Sequence, residues 1–191
     1  QDFTDVNNDA TRVEVNTISA EMAKVRDYVP DYAVMAHRGS TFWAPEETES
    51  AWRWAREMGA DYLESDLQCT KDGVILANHD DNLKRTTNIE NVYSELVPAT
   101  RKAFYMRHGV SQEEAEKLVA ADKASFRPYY AMSYMYEELL ALDAGSWFNE
   151  TSIEQARKSF AEKHQYVSAL EDQIRYAEGK MLKRGSDGER I

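Results

Sequence analysis

Short apolar runs that end in polar clusters set the pattern of this chain. Tyr32-Ala33-Val34-Met35-Ala36 leads into His37-Arg38-Gly39, and Val74-Ile75-Leu76-Ala77 is followed closely by His79. Between them, Tyr62-Leu63-Glu64-Ser65-Asp66-Leu67-Gln68 mixes apolar and acidic positions. Runs of this length bounded by turn formers predict strands. Ala51, Trp54, Ala55 and Met58 recur at helical spacing, which predicts a crossover helix with Thr48 as its cap and Gly59 as its stop. Thr70-Lys71-Asp72-Gly73 is a turn signal, so the second and third runs should form an antiparallel ribbon. With the turn centred near Asp72, facing residues have numbers that sum to about 144, which sets His79 opposite Ser65. Elsewhere Ile18, Met22 and Val25 mark an amphipathic helix within an N-terminal extension over residues 1–30. Three capping boxes, at Ser111–Glu114, Thr151–Glu154 and Ser168–Glu171, open further helices.

The chemistry sits at the ends of the strand-like runs. A strand period of two points Glu64 and Asp66 to one face, where two like charges on a largely buried segment call for a cation or strong donor between them. A divalent metal is the simplest candidate. The expected ribbon brings His79 back to within roughly 5–8 Å of the pair, a distance suited to a metal site or to acid–base work. His37 and Arg38 lie where a strand gives way to a loop, the usual place for catalytic groups.

Charge and composition narrow the partners. A formal net charge of −11 argues against binding nucleic acid or an anionic membrane surface. No apolar stretch approaches the roughly 18 residues of a membrane span. Cys69 is the sole cysteine, which excludes an internal disulfide and a zinc–thiolate cluster. The start at Gln1 without methionine favours a periplasmic or secreted protein with a removed leader, the alternative being cytoplasmic.

Read in order, Ala36-His37-Arg38-Gly39, Ala44-Pro45-Glu46-Glu47-Thr48, Gly59 to Asp66, Thr70-Lys71-Asp72-Gly73, His79-Asp80 and Leu83-Lys84-Arg85-Thr86-Thr87 resemble the glycerophosphodiester phosphodiesterases. Leu142-Asp143-Ala144-Gly145-Ser146-Trp147-Phe148 and Ser168-Ala169-Leu170-Glu171-Asp172 extend the resemblance to about residue 180. It implies an α/β fold, a TIM-type (β/α)8 barrel, with the N-terminal extension packed on its N-terminal side and a helical insertion at about 94–133. Arg101, Arg107 and Arg127 of that insertion, with its tyrosines, are candidates for a lid over the substrate mouth.

The implied activity is metal-dependent hydrolysis of a glycerophosphodiester to glycerol 3-phosphate and an alcohol. Position by position, His37 and His79 match the acid–base pair, Arg38 the phosphate-binding arginine, and Glu64 and Asp66 two metal ligands. Calcium or magnesium is the implied cofactor, since hard oxygen donors dominate the set. Glu46 is read either as a helix-dipole partner or as a site residue, and Trp147 and Phe148 as candidates for the substrate mouth.

The chain departs from the family pattern in two places. Glu47 stands where the family has Asn, and the family's third ligand, a Glu in a Glu-x-Lys strand, does not occur before Ile191. A barrel of this kind takes about 250 residues, so residues 31–191 are expected to be the N-terminal part of a larger catalytic domain. A non-catalytic phosphodiester-binding module on the same fold is the competing expectation.

Overall fold

The computed structural model describes residues 20, 32–151, 164–180 and 183–188. The expected helix around Ile18 to Val25 and the box at Thr151–Glu154 lie outside them, apart from Ala20 and Thr151 themselves. Strand β1 (Met35–Ala36) is followed by helix α1 (Glu49–Glu57) and strand β2 (Tyr62–Leu63), which pairs parallel with β1 through Met35↔Tyr62 and Ala36↔Leu63. This is a βαβ unit. Strands β3 (Leu67–Cys69) and β4 (Ile75–Ala77) form the antiparallel ribbon, with Leu67↔Ala77, Gln68↔Leu76 and Cys69↔Ile75 in register. Each of those pairs sums to the expected value. Gly73 takes φ +83° and donates its N–H to Thr70 O, while the Thr70 and Val74 backbones close the turn.

The single strand expected over Tyr62–Gln68 is divided at Glu64–Asp66. Glu64 N still donates to Ala36 O on the β1 side, but Asp66 O accepts from Asn78 N on the ribbon side. The backbone changes partner between the two carboxylates, so one run serves two separate sheets.

Helix α1 stops as expected. Gly59, at φ +86°, donates to Arg56 O, and Ala60 donates to Ala55 O, which satisfies carbonyls at the helix end. Thr48 occupies the N-cap, yet its hydroxyl donates to Pro45 O rather than accepting from the helix. The buried face is Ser50, Ala51, Trp52 and Ala55, whereas Met58 is exposed. The expected stripe was therefore rotated: Trp52, stacked on Tyr176 at 6.0 Å, anchors the helix instead of Trp54 and Met58.

Beyond the ribbon come α2 (Ile89–Val92), α3 (Arg101–Arg107), α4 (Gln112–Ser125), a 3-10 turn (Ala131–Ser133), α5 (Tyr136–Leu139), α6 (Ser146–Thr151) and α7 (Leu170–Ala177). Ser111 caps α4 by accepting from Glu114 N. At α7 the cap is one residue later than expected: Asp172 accepts from Ala169 N, so the box opens at Ala169 rather than Ser168. Leu76, Leu83, Ile89, Tyr134, Leu139, Leu142 and Val167 belong to the main core.

The 94–133 segment contains α3, α4 and the short 3-10 turn, and one of its three candidate lid arginines, Arg101, is not exposed. Arg101 is buried and clasped by Glu138 and Asp122. Arg107 pairs with Glu137, and Arg127 lies 3.9 Å over the Tyr130 ring. Just beyond that segment, Tyr134, Met135 and Tyr136 are all buried.

Candidate active site

The loop after β1 holds His37 and Arg38 in place through α1. Gly39 adopts φ +89°, and a Cβ there would come within 2.6 Å of the Ala51 Cβ, so only glycine allows this approach. Ser40 N donates to Ala51 O at 2.9 Å and completes the attachment. Two non-glycine residues beside it, Arg38 and Glu47, both sit at φ +57°. Each such residue costs on the order of 1–2 kcal/mol. Hydrogen bonds offset the strain: Glu47 N donates to Arg38 O at 3.0 Å, and Arg38 N donates to Glu64 Oε2 at 2.9 Å.

Arg38 gathers the acidic groups. Its Nε lies 2.9 Å from Asp66 Oδ2 and its Nη1 3.2 Å from Glu46 Oε1. The Nε–Asp66 approach is an ion pair without hydrogen-bond alignment. Glu64 and Asp66 thus meet on one side of Arg38, and donor atoms of His37, Glu64 and Asp66 all lie within 4.8 Å of one another.

His79 stands outside that group. The ribbon register carries it to the expected level, since Asn78 N bonds Asp66 O, and its imidazole Nδ1 lies 2.6 Å from Asp80 Oδ1. Both histidines are exposed.

Glu46 bridges the two halves of the site. Besides Arg38 it takes Arg85, with Nη2 at 2.7 Å from Oε1 and Nη1 at 3.2 Å from Oε2. Arg85 also grips Asp80 through Nε at 2.7 Å and Nη2 at 3.1 Å. Burial pushes the Glu46 carboxyl up, but Arg85 and Arg38 outweigh it and hold the group below its ordinary range. The hydrogen bond from Arg85 is the main cause that lowers Asp80 to about 2. Trp147 is half-buried, with Nε1 donating to Ala144 O and its ring 6.0 Å from the Arg85 guanidinium. Phe148 is buried in packing.

Glu47, which stands where the family has Asn, turns inward. It is 4% exposed and its carboxyl accepts from Ser65 Oγ at 2.6 Å and Asp66 N at 2.7 Å. Burial raises its pKa to about 7, against those two hydrogen bonds and with help from Asp66 and Glu64.

In metal-free protein this gives a pH dependence. The folded state holds the Glu47 proton more tightly than the unfolded chain, so the stabilisation is complete below pH 4.5 and is lost as pH rises through 7. The loss is on the order of 2–3 kcal/mol. Glu47→Gln, neutral throughout, should lose less stability between pH 5 and pH 8 than the parent when urea unfolding is followed with a chelator present. Equal losses in the two proteins would show that Glu47 does not titrate in this range.

The charge balance bears on a metal. As formal charges, Glu46, Glu64, Asp66 and Asp80 face Arg38 and Arg85, which leaves two negative charges over. That excess, two carboxylates with an imidazole beside them, and an all-oxygen majority of donors fit a hard divalent cation.

Two residues of this network had no assigned role in the sequence: Arg85, seen only as part of Leu83–Thr87, and Asp80, seen as the neighbour of His79. The usable signal was electrostatic. Four acidic groups near a single assigned arginine demanded a second cation.

Residues 37–184 match the model of the glycerophosphoryl diester phosphodiesterase family, and the chain belongs to that family. Over 126 residues, or 66% of the chain, it is 30% identical to a glycerophosphodiester phosphodiesterase of Bacillus subtilis, covering 30% of that protein. It is equally 30% identical, over 127 residues, to the glycerophosphoinositol inositolphosphodiesterase GDPD2 of Mus musculus, covering 18% of it. The matched region thus spans less than a third of these curated relatives. Among solved structures, a glycerophosphodiester phosphodiesterase from Agrobacterium tumefaciens aligns over 77% of this chain and 43% of its own. The identity there is 26% and the TM-score 0.47. Among the described residues, no helix is long and apolar enough to cross a membrane.

Proposed function

We propose that the protein containing this chain hydrolyses glycerophosphodiesters to glycerol 3-phosphate and an alcohol, with a divalent cation, calcium or magnesium, as cofactor. The observation that carries this reading is the convergence of His37, Glu64 and Asp66 beside Arg38, within a chain of the matching family. In this reading β1–α1–β2 is the opening unit of a (β/α)8 barrel, and residues outside this chain complete the barrel and the ligand set. The active site opens where the strands end.

Glu64 and Asp66 would hold the cation, which when bound supplies Lewis-acid stabilisation of negative charge on the phosphoryl oxygens. Arg38 is fixed by Glu46 and Asp66 and so presents its guanidinium to the phosphodiester without reorganising. Each imidazole is exposed to incoming substrate. One takes the proton from the nucleophile, the substrate's glycerol hydroxyl and then the water that opens the resulting cyclic phosphate, and the other delivers one to the departing oxygen, which requires one neutral and one protonated histidine. Asp80 at Nδ1 of His79 holds that ring and leaves Nε2 for proton transfer.

The direct test supplies the whole protein with glycerophosphocholine or glycerophosphoethanolamine, with calcium or magnesium, and measures glycerol 3-phosphate. Release that stops on chelation is expected. Binding of metal without release from any glycerophosphodiester would favour the non-catalytic binding module instead.

A further inference from the structure

Arg85 makes an unusual number of ordered contacts for a half-exposed side chain. Its Nε and Nη2 hold both oxygens of Asp80, and its Nη2 and Nη1 hold both oxygens of Glu46. All three of its nitrogens face carboxylates, whereas Arg38 turns Nε and Nη1 to Asp66 and Glu46, so Arg85 is the more committed of the two within the protein. Planar bidentate pairing of this kind fixes direction as well as distance.

The two carboxylates lead to different parts of the site. Asp80 continues to His79 Nδ1 at 2.6 Å, on the ribbon side. Glu46 continues to Arg38, and Arg38 to Asp66 and Glu64, on the βαβ side. Glu46 and Arg85 are 39 residues apart, and their contact joins two separately built halves. Unaided, Asp80 is a short side chain on the residue next to His79 and is free to rotate toward solvent. Arg85, anchored at its far end by Glu46, removes that freedom.

We propose that Arg85 is a positioning residue: clamped between Glu46 and Asp80, it locks Asp80 onto Nδ1 of His79 and so fixes the ring orientation and the tautomer that His79 brings to catalysis. The catalytic part of this statement rests on the reading of His79 as an acid–base group. The structural part does not. A neutral imidazole whose Nδ1–H donates to Asp80 carries a bare Nε2, the form that accepts a proton. Without the clamp, the Nδ1–H tautomer loses its fixed acceptor and the ring samples both forms.

The test separates the two parts. The chain has four histidines, so ring 15N spectra are sparse, and His79→Ala assigns the signal. In metal-free parent protein in alkaline buffer, the expected His79 spectrum is that of a single Nδ1–H tautomer. In Arg85→Gln and Arg85→Ala it should shift toward a mixture. Arg85→Lys, a cation without the planar fork, should fall between them.

In turnover, Arg85→Ala is expected to lower kcat about 10- to 100-fold with KM within about threefold, and free guanidinium should restore part of kcat. An unchanged tautomer in a folded Arg85→Ala protein would overturn the proposal. A shifted tautomer with unchanged kcat would overturn the catalytic part. If the parent released no glycerol 3-phosphate at all, the acid–base reading of His79 would fail, while the spectra would still decide whether Arg85 orders the ring.

Discussion

Arg101→Ala should destabilise the protein by about 3–5 kcal/mol, the typical cost of removing one partner from a buried ion pair. Arg101 is 1% exposed. Its Nε and Nη2 bind Glu138 at 2.9 and 2.8 Å, Nη1 binds Asp122 at 2.7 Å, and Nη2 also donates to Ser133 O at 2.8 Å. Those partners come from α4, the 3-10 turn and α5, so one guanidinium ties most of the helical segment together.

Deleting it leaves Glu138 buried without its cation, while Asp122 keeps Lys71 at 2.8 Å. The asymmetry suggests a second variant: Glu138→Leu combined with Arg101→Met should recover much of the loss, because an apolar pair of similar volume costs little. Thermal or urea unfolding measures both. At about 2–4 °C per kcal/mol for a chain of this size, the alanine variant should melt roughly 6–20 °C lower. A change of less than 1 °C would mean that water enters the cluster and screens it.

The second large effect is on turnover. His37→Ala and His79→Ala should each lower kcat by ~10²–10⁴-fold, the usual contribution of a positioned acid or base. Both side chains are exposed and outside the core, so the variants should melt within about 2 °C of the parent. The two differ in a second readout. His37 lies in the donor group with Glu64 and Asp66, so its removal should also weaken calcium or magnesium binding measured by calorimetry. His79 lies outside that group and should leave metal affinity nearly unchanged. Near-normal turnover in either variant would remove that histidine from the acid–base pair.

The parts of the structure that were legible in the sequence are those governed by neighbouring residues. Asp72-Gly73 set the turn, and the turn set the register of β3 on β4 to the residue. Gly59 ended α1 because a positive φ there is local chemistry. Glu64 and Asp66 both contact Arg38, but from a segment where the expected strand is divided, so strand periodicity does not account for their meeting.

What could not be read depended on distant partners. Arg101 resembled a lid residue because its carboxylates lie 21 and 37 residues away. Arg85 carried no visible role because Glu46 is 39 residues back. Trp52 displaced Trp54 from the buried face of α1 because Tyr176, far along the chain, supplies the surface against which it stacks. Glu47 turned inward because an Asp66 amide and a Ser65 hydroxyl were waiting for an acceptor, which its own neighbours do not reveal.

The contact between Gly39 and Ala51 has a consequence for engineering. The loop that carries His37 and Arg38 rests on the helix with no space for one additional carbon. Loop and helix therefore constitute one transplantable cassette, roughly residues 37–58. A library that randomises the whole loop would lose its members with a side chain at 39, and varying position 51 would not rescue them, because a Cβ at 39 also comes within 2.8 Å of the residue-51 backbone carbon. Altered substrate preference should be sought at the other loop positions with Gly39 held fixed.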